Sequence, residues 1–241
     1  QKGTTKVENL NKVNSSLYIV STPIGNLEDI TLRALKVLRS VHLILVENIK
    51  HSKTLLNYYN IKCALLSYNE HNSARQIPKV ISTLIEGKNI AIISDAGTPG
   101  ISDPGYKLIR ASIDRNIKII PVPGASAVTA GLVASGLPTD RFLFEGFLPP
   151  KKGRAKKIKN LSAENATLIF YESPKRLIRT LNDIYQNFGE RPCVVCRELT
   201  KIHEELIRGS LSYVIDLLSK RNSIKGECVI LIGKNEKNVF F

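Results

Sequence analysis

The chain carries 35 Lys and Arg against 21 Asp and Glu over 241 residues, a formal charge of +14; that surplus favours a polyanionic partner, nucleic acid or an anionic membrane face. An apolar content of 43% supports a sizeable core in one large domain or two small ones. No apolar run approaches the roughly 18 residues of a membrane helix, the polar N-terminus has no signal-like core, and four cysteines make no disulfide framework in a chain this long, so a cytoplasmic protein is expected.

In chain order, residues 1–15 are polar and read as a disordered N-terminal segment. An apolar strand at 17–20 runs into the Pro/Gly turn 21–27, and a helix capped by Asp29 or Thr31 continues to Ser40. Strands at 43–46 and 64–67 flank a helix starting at Ser52 and ending near Asn60. A helix over 73–86 closes at Gly87, and a strand at 90–93 feeds the loop 94–105, which precedes a helix over 106–116 and a strand at 117–122. Continuously apolar strands alternating with helices predict a parallel five-stranded sheet covered by helices on both faces. Ser126 can cap a helix running to Ser135.

The pattern then changes. Residues 141–147 alternate, Pro149-Pro150 introduces a basic stretch, and 167–171 is a strand. Ser173-Pro174 opens a helix to about Phe188. Strands at 194–197, 204–208 and 227–232, with a helix over 211–220, predict a mixed sheet and a second α/β domain.

Several catalytic motifs are missing. There is no G-x-G-x-x-G after the first strand, no P-loop, no G-x-S-x-G and no H-E-x-x-H. Cys193 and Cys196 lie three apart on one strand, so they face opposite ways and make a poor zinc site; no metal is expected. What stands out is Ser94-Asp95-Ala96-Gly97-Thr98-Pro99-Gly100-Ile101-Ser102-Asp103-Pro104-Gly105. Its glycines allow positive φ and let a ligand approach bare main chain, and it follows a buried strand, where open α/β sheets bind ligands. Similar turns recur at 21–27, 123–127, 171–174 and 225–227, which points to a cleft of main chain and small side chains.

The run from Leu17 to Leu27 with Asp29-Ile30-Thr31, together with 94–105, resembles the tetrapyrrole methylase superfamily. The likeness extends to Pro123-Gly124-x-Ser126, Gly136-Leu137-Pro138-x-Asp140-Arg141-Phe142 and Glu145-Gly146-Phe147-Leu148-Pro149. Phe170-Tyr171-Glu172-Ser173-Pro174-Lys175-Arg176, Arg197-Glu198-Leu199-Thr200-Lys201 and Lys225-Gly226-Glu227 complete it, and the combination is similar to the branch that methylates small-subunit ribosomal RNA. The resemblance implies 2′-O-methylation of a cytidine ribose in 16S rRNA with S-adenosyl-L-methionine. It also implies a two-domain fold divided at 16–123 and 124–241, a cofactor in a cleft between the domains, and a homodimer. By the same resemblance Pro23, Ile24, Asp95, Thr98, Ser126, Ala127, Tyr171, Leu199 and Glu227 would contact the cofactor, several through main chain. Glu47-Asn48-Ile49-Lys50 departs from the family's Glu-Asp-Thr-Arg. The sequence also stops soon after Ile232, without the helical extension of many relatives.

A ribose hydroxyl needs a base to take its proton. Glu47, Asp95, Asp103 and Glu172 lie near strand ends, and Glu47 is the candidate base or substrate-orienting group, against a plain role ending its strand or pairing Lys50. Lys151, Lys152, Arg154, Lys156 and Lys157 form a candidate phosphate grip, with a solvated linker as the alternative; Arg176 and Arg197 are candidates for holding RNA in register. The competing functions are a relative acting on a corrinoid or a modified protein side chain, and a non-catalytic RNA-binding assembly factor.

Overall fold

The structure is a computed structural model, and it describes residues 15–236 and 239. Residues 1–14 of the expected disordered segment lie outside that range. Ser15, assigned to the same segment, is buried and donates its hydroxyl to the Leu84 carbonyl. Contacts divide the chain into two units: residues through Pro23 with Glu28–Gly124, and Ile24–Leu27 with Ala125 onward. No helix among the described residues is long and apolar enough to cross a membrane.

The first unit is built on strands β1 (Ser16–Val20), β2 (Leu43–Val46), β3 (Ala64–Ser67), β4 (Ile90–Ile92) and β5 (Lys118–Val122). They form a parallel sheet in the order β3-β2-β4-β1-β5. The chain winds outward from β1 to β3, returns to β4, and places β5 on the other flank of β1. The topological switch point therefore falls at the carboxyl ends of β1 and β4. Leu17, Ile19, Leu45, Ile90 and Ile92 pack with Val80 and Leu84 of α3 (Ser73–Ile85) and Leu108 of α4 (Tyr106–Ile113).

Of the two possible caps, Thr31 starts helix α1 (Leu32–Ser40), its hydroxyl accepting the Ala34 N–H at 3.0 Å. Helix α2 (Ile49–Tyr58) begins three residues before the expected Ser52, because the Asn48 side chain accepts the N–H groups of Lys50 and His51. The same Asn that breaks the family's pattern is thus a strong N-cap.

The second unit orders its strands β6-β7-β10-β8-β9: β6 (Phe142–Phe147), β7 (Thr167–Glu172), β8 (Pro192–Arg197), β9 (Glu205–Ser210) and β10 (Cys228–Ile232). Only β6 and β7 pair in parallel, so the sheet is mixed as expected. Cys193 and Val195 join one apolar cluster with α6 (Arg154–Leu161), α7 (Pro174–Phe188) and α8 (Leu211–Ser219). Val194 and Cys196 join another with Val128 and Leu132 of α5 (Ala127–Ser135). The two cysteines do face opposite ways. Burial pushes the Cys193 thiol up strongly and the Cys196 thiol to about 12, so neither supplies a thiolate.

The alternation read at 141–147 is interrupted. A β-bulge between Phe144 and Gly146 shifts the register against β7, with Gly146 at φ 63°.

Candidate active site

In the first unit the loops after β1 and β4 are sewn together. Thr22 and Gly97 exchange main-chain hydrogen bonds at 2.9 and 3.1 Å. The Thr22 hydroxyl donates to the Ser94 carbonyl at 3.2 Å, and the Ser21 and Thr98 hydroxyls lie 2.8 Å apart. Gly97 and Gly100 have φ of 78° and 85°, which side chains rarely tolerate. A Cβ on Gly100 would meet nothing within 4 Å, so its main chain borders open space. Gly124 packs closely, since a Cβ there would lie 3.0 Å from the Ser21 Cβ.

Three carboxylates converge on these loops. Asp95 accepts the Asn48 N–H at 3.2 Å, and its carbonyl lies 3.0 Å from a His51 ring nitrogen. Burial and then the Glu47 charge push Asp103 up to about 6, with Asp95 adding to the rise and a hydrogen bond from Ser94 opposing it. Burial raises Glu47 as well, followed by the charge of Asp95. Burial and a neighbouring negative charge both favour the protonated form, so Asp103, at about 6, lies closer to the working range of a proton acceptor than an ordinary carboxylate does.

In the second unit the turn after β8 holds Glu198 and Thr200 at φ 52° and 66°. Glu198 donates its N–H to the Glu227 carbonyl, and its carboxylate accepts the Glu227 N–H and the Lys201 ammonium at 2.8 and 2.9 Å. Lys201 also reaches Glu227 at 2.9 Å. Gly25 lies against this turn so closely that a Cβ would strike Lys201, Thr200 and the Leu199 carbonyl. Gly226, at φ 94°, faces the Glu198 side chain in the same way. Ser126 precedes α5 without capping it through its side chain; a helix N-terminus of this kind presents N–H groups to an anion.

Comparison with known proteins then places the chain. The Tetrapyrrole (Corrin/Porphyrin) Methylases family matches residues 16–214. The chain belongs to the tetrapyrrole methylase family. It is 49% identical to the "Ribosomal RNA small subunit methyltransferase I" of Thermotoga maritima, over 90% of this chain and 98% of that protein. The protein of the same name from Halalkalibacterium halodurans is 48% identical, over 92% of this chain and 77% of its own length. A solved uroporphyrin-III-C-methyltransferase from Thermus thermophilus superposes with a TM-score of 0.65 at 20% identity, covering 92% of this chain and 94% of that one; this likeness shows the shared fold.

Within this family fold the expected residues fall as follows. Pro23, Asp95 and Thr98 lie on the stitched loops of the first unit. In the second, Ser126 and Ala127 open α5, Tyr171 lies on β7, Leu199 sits in the strained turn and Glu227 precedes β10. Ile24 and Leu199 are buried in the apolar cluster with Val128 and Leu132, which leaves only their main chain to meet a ligand.

The basic candidates need correction. The linker alternative fails, because most of the stretch is helix α6. Arg154 is 4% exposed and donates to Asp183 and the Thr180 hydroxyl at 2.8 Å and to the Pro149 carbonyl at 3.2 Å. It shares the core-facing side of α6 with Ile158 and Leu161, so it is withdrawn from the phosphate grip. Arg176 donates to the Leu148 carbonyl at 2.6 Å and pairs with Glu172 at 3.3 Å. Arg197 is engaged by Glu205 and the carbonyls of Lys225 and His203. Both arginines therefore brace loops. Lys157 pairs with Glu145 at 2.6 Å, while Lys151, Lys152 and Lys156 are exposed. Glu172 is 2% exposed and accepts the Ser173 N–H and the Thr180 hydroxyl, a structural role.

Asp103, which the sequence places behind Glu47, carries the larger rise, and the knot of Glu198, Lys201 and Glu227 is not among the expected sites. The Gly226-Glu227 pair was its signal: a glycine beside a charged residue implies a close approach, but what approaches is visible only in three dimensions.

Proposed function

We propose that this protein uses S-adenosyl-L-methionine to methylate 16S ribosomal RNA in the small subunit, at the 2′-hydroxyl of a cytidine ribose. The observation that carries this reading is the near-half identity, along nine-tenths of the chain, to proteins named for methylating small-subunit rRNA. The net charge of +14 suits a polyanionic substrate. The reading brings with it a cytoplasmic homodimer.

The residues present suit the cofactor. The main chain of 95–98 and Pro23 in the first unit, with the open space over Gly100, offers donors and acceptors without side-chain obstruction. In the second unit, taken by itself, the main chain at Ile24 and Leu199, the side chains of Tyr171 and Glu227, and the N–H groups at Ser126 and Ala127 are also groups of the kind such a cofactor needs, the last two for a carboxylate. The acidic side chains of Glu47, Asp95 and Asp103 suit a cationic ligand. When bound, the cofactor supplies an electrophilic methyl group on a sulfonium. The protein's part is to position the ribose oxygen, which can provide much of the rate, and to take its proton. The Glu47 and Asp103 pair takes that proton: Asp103, held near 6, is ionised at neutral pH yet basic enough to accept it. Lys151, Lys152 and Lys156 grip phosphates.

Incubation with methyl-labelled S-adenosylmethionine and unmethylated small subunits tests the reading. Label is expected in 16S rRNA, alkali-stable at one cytidine. Label in a tetrapyrrole or a protein side chain, or RNA bound without transfer, overturns it. Light scattering of the purified chain tests the dimer.

A further inference from the structure

We infer that Phe147 is a stacking platform for an unpaired base of single-stranded nucleic acid, set beside the lysines before and within the first turn of α6 that hold the strand's phosphates. The inference deepens the proposed function and rests on its RNA substrate. Phe147 ends β6, an edge strand, and is 54% exposed. On a regular strand Phe144 and Phe147 would face opposite ways. The Gly146 bulge corrects the phase, and both rings meet Tyr171 edge-on, at 4.8 and 5.7 Å between centroids. A bulge that re-aims a side chain is a feature of functional sheet edges. Here it turns an aromatic ring into solvent, which costs apolar burial unless a ligand covers the ring.

The ring is also held in place. Leu148, next in the chain, is fully buried in the core. Arg176 and Arg154 clamp the carbonyls of Leu148 and Pro149 at 2.6 and 3.2 Å. Exposed Lys151 and Lys152 follow at once, and Lys156 lines a cavity with Gly153 and Asn160. A rigid aromatic face beside a basic track is the arrangement that binds unpaired strands with little sequence preference. Lysine is depleted in protein–protein interfaces, so a dense run of lysines favours a polyanionic occupant over a protein.

The test uses the full chain, a fluorescent single-stranded RNA of about twelve nucleotides and a duplex of the same length. Phe147→Leu is expected to weaken single-strand binding about tenfold, leaving the salt slope, melting temperature and cofactor affinity unchanged. The double variant Lys151→Ala, Lys152→Ala is expected instead to flatten the slope by about 0.7 per lysine. The chain has no Trp, so Phe147→Trp installs a single reporter: it should restore affinity and be quenched by the RNA, but not by inorganic polyphosphate. Equal binding by the wild type and a folded Phe147→Leu overturns the inference alone, as does preference for the duplex, quenching by polyphosphate, or a loss in cofactor affinity in place of RNA affinity. Failure of the wild type to bind the RNA overturns it too; if small subunits also go unlabelled, the parent reading falls with it.

Discussion

Glu47 and Asp103 of the first unit form no ion pair among the described residues; burial first, and then the charge of Asp95 on Glu47 and of Glu47 on Asp103, hold both above the ordinary carboxylate range. In the second unit Glu198 meets Lys201 at 2.9 Å, and Glu205 meets Arg221 and Arg197 at 2.5 and 3.1 Å; these partners drive Glu198 down and Glu205 to about 2. Glu47, Glu198 and Glu205 lie at strand ends, and Asp103 lies in the loop between β4 and α4. The difference lies in what each set does: a paired carboxylate fixes a loop, and an unpaired one is kept at a cost in stability and stays available for protons or ligands.

The contrast is easiest to break where a paired group is most buried. Arg154→Ala removes a guanidinium that Asp183 and Thr180 share and that clamps Pro149. It is expected to cost about 2–4 kcal/mol in urea unfolding. Alanine at the neighbouring exposed Lys152 should stay within about 0.5 kcal/mol of wild type. A small effect at Arg154 would return it to the surface and to the phosphate grip.

Next comes Gly226→Ala. It imposes a side chain at φ 94° and against Glu198, so a loss of about 2–3 kcal/mol is expected. Gly100, at φ 85° but facing open space, should lose only about 1 kcal/mol as Ala. Cofactor titration of both variants would sharpen the point, because Gly100→Ala narrows the space proposed for the ligand while Gly226→Ala acts through the fold.

Glu205→Gln probes the paired class directly. The full shift of Glu205 corresponds to about 3 kcal/mol, reduced to about 1–2 kcal/mol by solvent screening at a side chain 31% exposed. Because the folded pKa is depressed, that stability is present above the unfolded value of 4.5 and fades as pH falls toward about 2. The gap between wild type and variant in urea unfolding should therefore shrink on acidification.

These expectations also mark what the chain made legible. β2 and β3 match their expected bounds, because short apolar runs between polar residues leave a strand no other choice. The start of α2 differs from the expected Ser52 because Asn48, a departure from the family's pattern, is also a cap. Arg154 was hidden in a charge run; its spacing of four and seven from Ile158 and Leu161 is the helical period that betrays a core-facing position. The bulge at Gly146 was invisible, because alternation counted along a sequence cannot show a slipped register. The rise at Asp103 comes from burial and then from Glu47, which lies at the end of β2, far away in the chain, and no local pattern encodes either.

Asp103→Asn carries the comparison to its other limb. The folded chain keeps the Asp103 proton up to about 6, whereas the unfolded chain releases it near 3.8. The folded state thus binds more protons between those values, and stability falls as pH rises through that window, opposite to Glu205. Asparagine abolishes the fall, so the variant should gain on wild type from pH 4 to 6. The gain is at most about 3 kcal/mol by the shift and nearer 1 kcal/mol once solvent screening is counted. The same change should reduce methyl transfer about 10²–10⁴-fold if the carboxylate accepts the ribose proton. Glu47→Gln separates the partners. It removes the largest charge raising Asp103, so the acid limb of the pH–rate profile should move below 6. A limb that stays in place would mean that the two carboxylates do not share the proton.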